Sequence, residues 1–401
     1  MSRIIPTTIL AVGLLASGCG QAPPDEKTAG QRIGPWLHLS SANGDLPAPG
    51  PSEQQTGSWV ADFDKDGVND FVIVCRVEGP SVTWYRRTAD GWDKYIIDDE
   101  FLRIEAGGAA LDVDGDGDLD LIFGGDSGSH QMWWWENPYP DYDPAINWAR
   151  YLIKDSGERK HHDQIAGDFD GDGEAELVSW NQRAKALLLF EIPDDPKAGP
   201  WPAKTIYEWT DGEEHEGLAA ADINADGKVD LIGGGRWFEH TASGEFTPHV
   251  IDDNYRFSRA AAGDLVEGGR PEVVFQPGDA DGRLRWYEWD GAQWTGHDAM
   301  AEDIIHGHSL AVLDMNGDGH ADIFSAEMGQ WGREPIVNPS PAMRILYGDG
   351  QGGFRATVVS DQFGNHESRP ADLDGDGDMD ILGKPYNWRT PRVDIWLWVG
   401  E

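Results

Sequence analysis

The chain has 401 residues, with 31 Lys and Arg against 72 Asp and Glu, a formal charge of −41. Acidity on this scale repels polyanions, so nucleic acid and anionic membrane surfaces are not expected partners. Only two cysteines are present, Cys19 and Cys75, and the readings given to each below leave no disulfide to brace the fold.

The first elements in chain order are an address. Arg3 precedes an apolar run from Ile9 to Ala16, too short to cross a bilayer and typical of a secretion leader. Ala16-Ser17-Gly18-Cys19 follows and resembles a bacterial lipobox, which makes Cys19 the expected lipidation site. Residues 1–18 are then a leader and 19–33 a flexible tether. The implied location is outside the bacterial cytoplasm, on a membrane reached through the lipid alone.

An acidic nine-residue phrase then recurs seven times, starting at Asp62, Asp112, Asp168, Asp222, Asp264, Asp314 and Asp372. A period of roughly 50 residues marks stacked supersecondary units that bury their apolar faces only against neighbours. Oxygens at positions 1, 3 and 5, a Gly at 6 and an acid at 9 form a turn that converges hard donors, the chemistry Ca²⁺ selects. The expected ligands are Asp62, Asp64, Asp66 and Asp70; Asp112, Asp114, Asp116 and Asp120; and Asp168, Asp170, Asp172 and Glu176. Later repeats supply Asp222, Asn224, Asp226 and Asp230; Asp314, Asn316, Asp318 and Asp322; and Asp372, Asp374, Asp376 and Asp380. An EF-hand would place Glu at position 12, but Ile73, Phe123 and Ser179 stand there in the first three copies. The fifth copy has Val266 and Gly268 at positions 3 and 5 and is expected to fold without metal. About six Ca²⁺ sites follow, and they account for much of the acidity.

After each acidic turn comes a short apolar run such as Leu121-Ile122-Phe123-Gly124, which reads as a buried strand. The third unit illustrates four strands, around Gln164–Gly167, Leu177–Trp180, Ala186–Ile192 and Lys204–Trp209. The third strand repeats an aromatic signature, as in Val82-Thr83-Trp84-Tyr85 and Met132-Trp133-Trp134-Trp135, expected to pack between units. Cys75, inside the run FVIVC, reads as a small buried hydrophobe. The last unit ends after its third strand, while Trp36-Leu37-His38-Leu39-Ser40 stands unassigned before the first. That segment is expected to supply the missing outer strand. The prediction is an all-β, seven-bladed β-propeller over residues 34–401 with four-stranded blades. The blades fall at about 54–101, 104–154, 160–209, 213–252, 256–299, 304–360 and 364–399, the last completed by 36–41.

The acidic phrases resemble the FG-GAP or VCBS-like repeats of β-propellers, including the head of integrin α-subunits, and the resemblance covers nearly all of the chain after the leader. It implies the propeller and its calcium loops. A looser resemblance connects the array to the propeller portion of aldos-2-ulose dehydratases, and a more distant one to propeller-type ulvan lyases; neither carries a motif that transfers a catalytic residue.

In such propellers ligands bind on the face opposite the metal turns, around the channel mouth. Six residues before each leading Asp stand Thr56, Ala106, His162, Glu216, Ser258, His308 and His366. Imidazoles recurring at one repeat position suggest acid–base or ligand chemistry. The candidate catalytic groups are His162, His308, His366, Tyr386 and Lys384. Candidate ligand contacts are Trp180, Asn181, Glu216, Arg236, Trp237, Glu327, Arg369, Asn387 and Trp388, and the long loop Ala326–Ala342 is a candidate lid. Trp, Asn and Arg at a wet funnel suit a carbohydrate or another small polar ligand. Three function classes follow: a sugar-binding module, a sugar lyase or dehydratase using His/Tyr chemistry, and an adhesive, protein-binding propeller. Three imidazoles are also a candidate transition-metal set. A monomer is expected.

Overall fold

The computed structural model describes residues 30–210, 212–330 and 336–400. The leader, Cys19 and most of the tether lie outside the described residues. The described chain is a ring of seven antiparallel blades. Blade one comprises Gln55–Ala61, Asp70–Cys75, Val82–Thr88 and Gly91–Asp98, hereafter strands A to D from the channel outwards. Blade three comprises His161–Gly167, Glu176–Asn181, Ala186–Glu191 and Ala203–Glu208, within two or three residues of the expected bounds. In every blade the position-9 acid is the first residue of strand B (Asp70, Asp120, Glu176, Asp230, Glu272, Asp322 and Asp380), so each acidic phrase is an A–B turn and all lie on one face.

Strand B is buried on both sides, which is why it reads as an unbroken apolar run. In blade one, Phe71, Ile73 and Cys75 pack toward blade seven, while Val72 and Val74 pack toward blade two. Alternation of side chains along a strand sends successive residues to opposite neighbours. Seven apolar clusters result, one between each pair of adjacent blades, and the aromatic third strands fill them: Trp84 and Trp135, Trp134, Trp286, Trp396. A cluster at every interface, including that between blades seven and one, means the ring is closed.

Closure uses the expected segment. Trp36–Ser40 pairs antiparallel with Asp394–Trp398, Trp36 opposite Trp398 and Ser40 opposite Asp394. Gln31–Ile33, expected to belong to a flexible segment, instead forms a further outer strand beside Trp36–Ser40. Asp394 is the buried clasp of this seam. Its carboxylate accepts from His38 Nε2 at 2.8 Å and from Arg392 Nε and Nη2, both at 2.6 Å.

Candidate functional site

The A–B turns converge carboxylates as the spacing demanded. In four of them three oxygens lie within 4.8 Å of one another: Asp62, Asp64 and Asp66; Asp112, Asp114 and Asp120; Asp168, Asp170 and Glu176; Asp372, Asp374 and Asp380. The leading Asp also organises the turn itself; Asp112 accepts from the amides of Gly115 and Gly117 at 2.8 and 3.1 Å. The position-9 acid stitches turn to sheet, Asp120 accepting from Val113 N and Asn137 N. Burial, and then neighbouring carboxylates, raise Asp70 to about 7 and Asp120 and Asp380 to about 8, against the pull of backbone donors. Asp70 Oδ2 and Asp114 Oδ1 are buried with no hydrogen-bond partner. Orphaned carboxylate oxygens in or beside a hard-donor cluster fit a divalent cation, whose charge reverses that penalty. In the fifth turn the Glu272 carboxylate still accepts from Leu265 N and Val266 N, tying turn to sheet although Val266 and Gly268 supply no side-chain oxygens.

The opposite face holds the mouth, a cavity of about 500 Å³ lined by His162, His308, His366, Tyr386 and Glu216 together with Arg76, Glu105, Lys160, Glu214 and Asp279. Local backbone irregularity aims the imidazoles. His162 pairs with Trp180 and Gln164 with Ser179, so Asp163 is bulged out at φ 51°; in blade six it is His308 itself that is skipped, between Gly307 and Ser309. A bulge re-aims the side chains beside it, and in these two blades it falls at or next to the residue six places before the leading Asp.

The rings form a train across the opening. His308 stacks on His366 with centroids 4.5 Å apart and 14° between planes, and His366 stacks on Tyr386 at 4.8 Å. Tyr386 Oη accepts from Arg76 Nη1 at 2.6 Å, and burial raises its pKa. Arg76 is paired in turn with Glu105. His162 sits between two carboxylates, Nδ1 2.9 Å from Asp163 and Nε2 3.2 Å from Glu216. Carboxylates on both sides favour a charged, doubly protonated ring. Burial opposes that charge, but Glu216 and Asp163 outweigh it and raise its pKa. His366 is the reverse case: burial, with His308 and Lys384 nearby, drives its pKa well down and leaves it neutral.

Below the mouth, Asp163 Oδ1 lies 2.7 Å from Arg259 Nη1, and Arg259 Nη2 lies 2.9 Å from Glu367 Oε1. This charged bar separates the mouth from a second cavity of about 630 Å³, walled by Trp59, Ile165, Leu218 and Leu310. Arg369 belongs to that lower cavity, its guanidinium 4.4 Å from the Trp59 ring centroid.

Several expected contacts are structural instead. Trp180 is fully buried between blades three and four and donates to Gly217 O at 2.9 Å; Trp237 fills the next interface. Both lie on strands packed between two blades, so each ring fills an interface instead of reaching the mouth. Asn181 ties its own turn, accepting from Ala184 N and donating to Glu158 O. Arg236 is held by Gly234 O and Asp253. Glu327 anchors the sixth blade's long loop, accepting from Asn338, Ala342 N and Arg344; part of that loop lies outside the described residues. Trp388 packs against Gly329, and Asn387 lies beside it, half-buried. Lys384 is sealed beneath the mouth, its Nζ donating to Gln55 O and His366 O, and burial lowers it to about 7. It is positioned to hold the seam rather than to meet a ligand. No metal-type cluster forms at the mouth among the described residues. Near-parallel rings such as His308 and His366 cannot both point in-plane at one ion. Arg76, Glu105, Asp279 and Arg259 were not anticipated, because their pairings join loops far apart in sequence.

If Trp180 is only a packing residue, Trp180→Ala should lower stability by about 3–5 kcal/mol while leaving ligand affinity unchanged well below the melting temperature. Parallel thermal melts and binding titrations check this.

The FG-GAP-like repeat family matches residues 112–179, 168–233 and 269–325. No curated protein matches the chain. Among solved structures, BBS1N in complex with ARL6DN is similar at a TM-score of 0.54 and 13% identity, covering 90% of this chain and 96% of that one. The V. cholerae biofilm matrix protein Bap1 is similar at a TM-score of 0.52 and 11% identity, covering 86% and 88%. At these identities the likeness is one of fold. The chain is thus a seven-bladed β-propeller that carries FG-GAP-like repeats within residues 112–233 and 269–325.

Proposed function

We propose that this protein is a calcium-braced binding propeller that takes a carbohydrate at its histidine-lined mouth. The supporting observation is the convergence of His162, His308, His366, Tyr386 and Glu216 on one polar cavity, opposite the face that carries the metal turns. Rings for the C–H faces of a sugar beside carboxylate and imidazole for its hydroxyls are what such a ligand requires. The leader and Cys19 add the proposal that the propeller is exported and lipid-anchored.

A second reading, a sugar lyase or dehydratase, is favoured by one specific arrangement. Neutral His366 would serve as a proton acceptor and Tyr386, oriented by Arg76 and stacked on His366, as a donor beside it, with His162 supplying positive charge to the site. Protein binding, as for the ARL6DN-bound BBS1N, calls for an apolar docking patch. Among the described residues, large exposed hydrophobics such as Val77, Phe101, Ile146, Val250 and Val358 are spread over several blades.

Calorimetric titration with a panel of neutral, amino and acidic oligosaccharides, run beside ultraviolet absorbance for newly formed unsaturated product, separates the readings. Saturable binding that His308→Ala and His366→Ala weaken at least about tenfold, roughly 1.4 kcal/mol, with no absorbance change, supports the module. Product formation lost in those variants supports the enzyme. Silence in both assays rejects both.

A further inference from the structure

We propose that the mouth selects an amine-bearing sugar, whose ammonium docks on Glu216 beside Gly278, and that it discriminates against acidic sugars. This rests on the carbohydrate reading of the same cavity and names its ligand class.

The argument begins with the polar atoms that lack partners. Glu216 is 2% exposed; its Oε1 accepts from Gln182 Nε2 at 2.9 Å and faces His162, while its Oε2 has no partner. His308 donates Nε2–H to Asp279 at 3.0 Å, since a carboxylate only accepts, so in the neutral ring Nδ1 is a bare acceptor, and it too lacks a partner. His366 Nδ1 is likewise buried without one. A buried polar atom without a partner carries a desolvation penalty that a ligand donor removes. Acceptors therefore predominate among these atoms, and an ammonium offers three donors and no acceptor, against one donor from a hydroxyl.

The cations of the site point the same way. Arg76 is engaged by Glu105 and Tyr386, Lys160 by Glu214, Arg259 by Asp163 and Glu367, and Lys384 by two backbone carbonyls. Among the described residues, the Lys and Arg side chains that line the mouth, Arg76 and Lys160, are each already paired with an acid, and a uronate or sulfate would meet Glu216 and Asp279 instead.

Gly278 supplies the room. A Cβ there would lie 3.5 Å from Glu216 Oε2 and 3.6 Å from His308 Nε2, and the glycine does not adopt a left-handed φ. Alanine is thus accommodated by the fold but occupies the space beside Glu216 Oε2, next to the His308 nitrogen that Asp279 already engages.

The test is calorimetry on the full chain in calcium-containing buffer, using glucosamine oligomers with charged amines, the same oligomers N-acetylated, and galacturonate oligomers. The free amine should bind about tenfold or more tighter than its N-acetylated form, the worth of one charge-assisted hydrogen bond. Galacturonate should bind weakest. Gly278→Ala should weaken amine binding with an unchanged melting temperature, and Glu216→Gln should erase the amine preference. Equal binding of amine and N-acetyl forms, or preference for galacturonate, overturns this inference and leaves the carbohydrate reading standing. Absence of binding by all three overturns both.

Discussion

Removing calcium with a chelator should lower the melting temperature by on the order of 10 °C, and readdition should restore it. Four turns converge three carboxylates each on one face, and several position-9 acids are buried enough to resist ionising without a cation. A site occupied at about 100-fold over its Kd contributes roughly 2.7 kcal/mol, so four contribute about 11. Spread over an unfolding entropy of about 2 cal/mol/K per residue for a domain of this size, that is a shift of ten degrees or more. Magnesium should replace calcium poorly, because it demands a smaller and more regular octahedron. Differential scanning calorimetry in calcium, magnesium and chelator checks all three.

Opening the ring should be equally damaging. Deleting residues 30–41 removes Trp36 and Leu39, both buried, and exposes the outer edge of Asp394–Trp398. Two large side chains lost from the core account for roughly 3–6 kcal/mol, and an open apolar edge invites pairing with other chains. The expected product is a protein with a sharply lower melting temperature that aggregates near it. Asp394→Ala is the local version. It leaves Arg392, whose guanidinium also sits 3.9 Å over Phe363, without its buried counter-charge. Breaking such a pair from one side costs about 3–5 kcal/mol. Melts and light scattering of both variants check the seam; wild-type behaviour of the deletion would mean that blade seven is complete without Trp36–Ser40.

The blades were legible because one repeating turn sets the period and each strand B must be apolar on both faces. The closing strand was legible because the final unit runs out of chain after Asp394–Trp398 while Trp36–Ser40 stands unassigned. His162, Glu216, His308 and His366 were legible as a set because a shared repeat position places them at a shared point of each blade. Their neighbours were not. His161 is one residue from His162 yet is sealed away, burial lowering it to about 3, and His215 lies flat on Trp209 at 4.3 Å. A one-residue step along a strand changes the face a side chain occupies, and a bulge at this point of the blade is invisible in the residue pattern. The partners that tune the mouth, Asp279 on His308, Arg76 on Tyr386 and Arg259 on Asp163, meet only when the ring closes.

The claim on which the account turns is that hard-oxygen turns on one rim hold divalent cations and so pin the blades whose other ends shape the mouth. Elemental analysis of folded, monomeric protein after dialysis against calcium buffer tests it most directly, with Asp112→Asn/Asp114→Asn alongside. The account predicts at least four calcium ions per chain, as the four converging turns require, and a loss of one in the double variant. A folded, thermally stable chain that carries no calcium would contradict it.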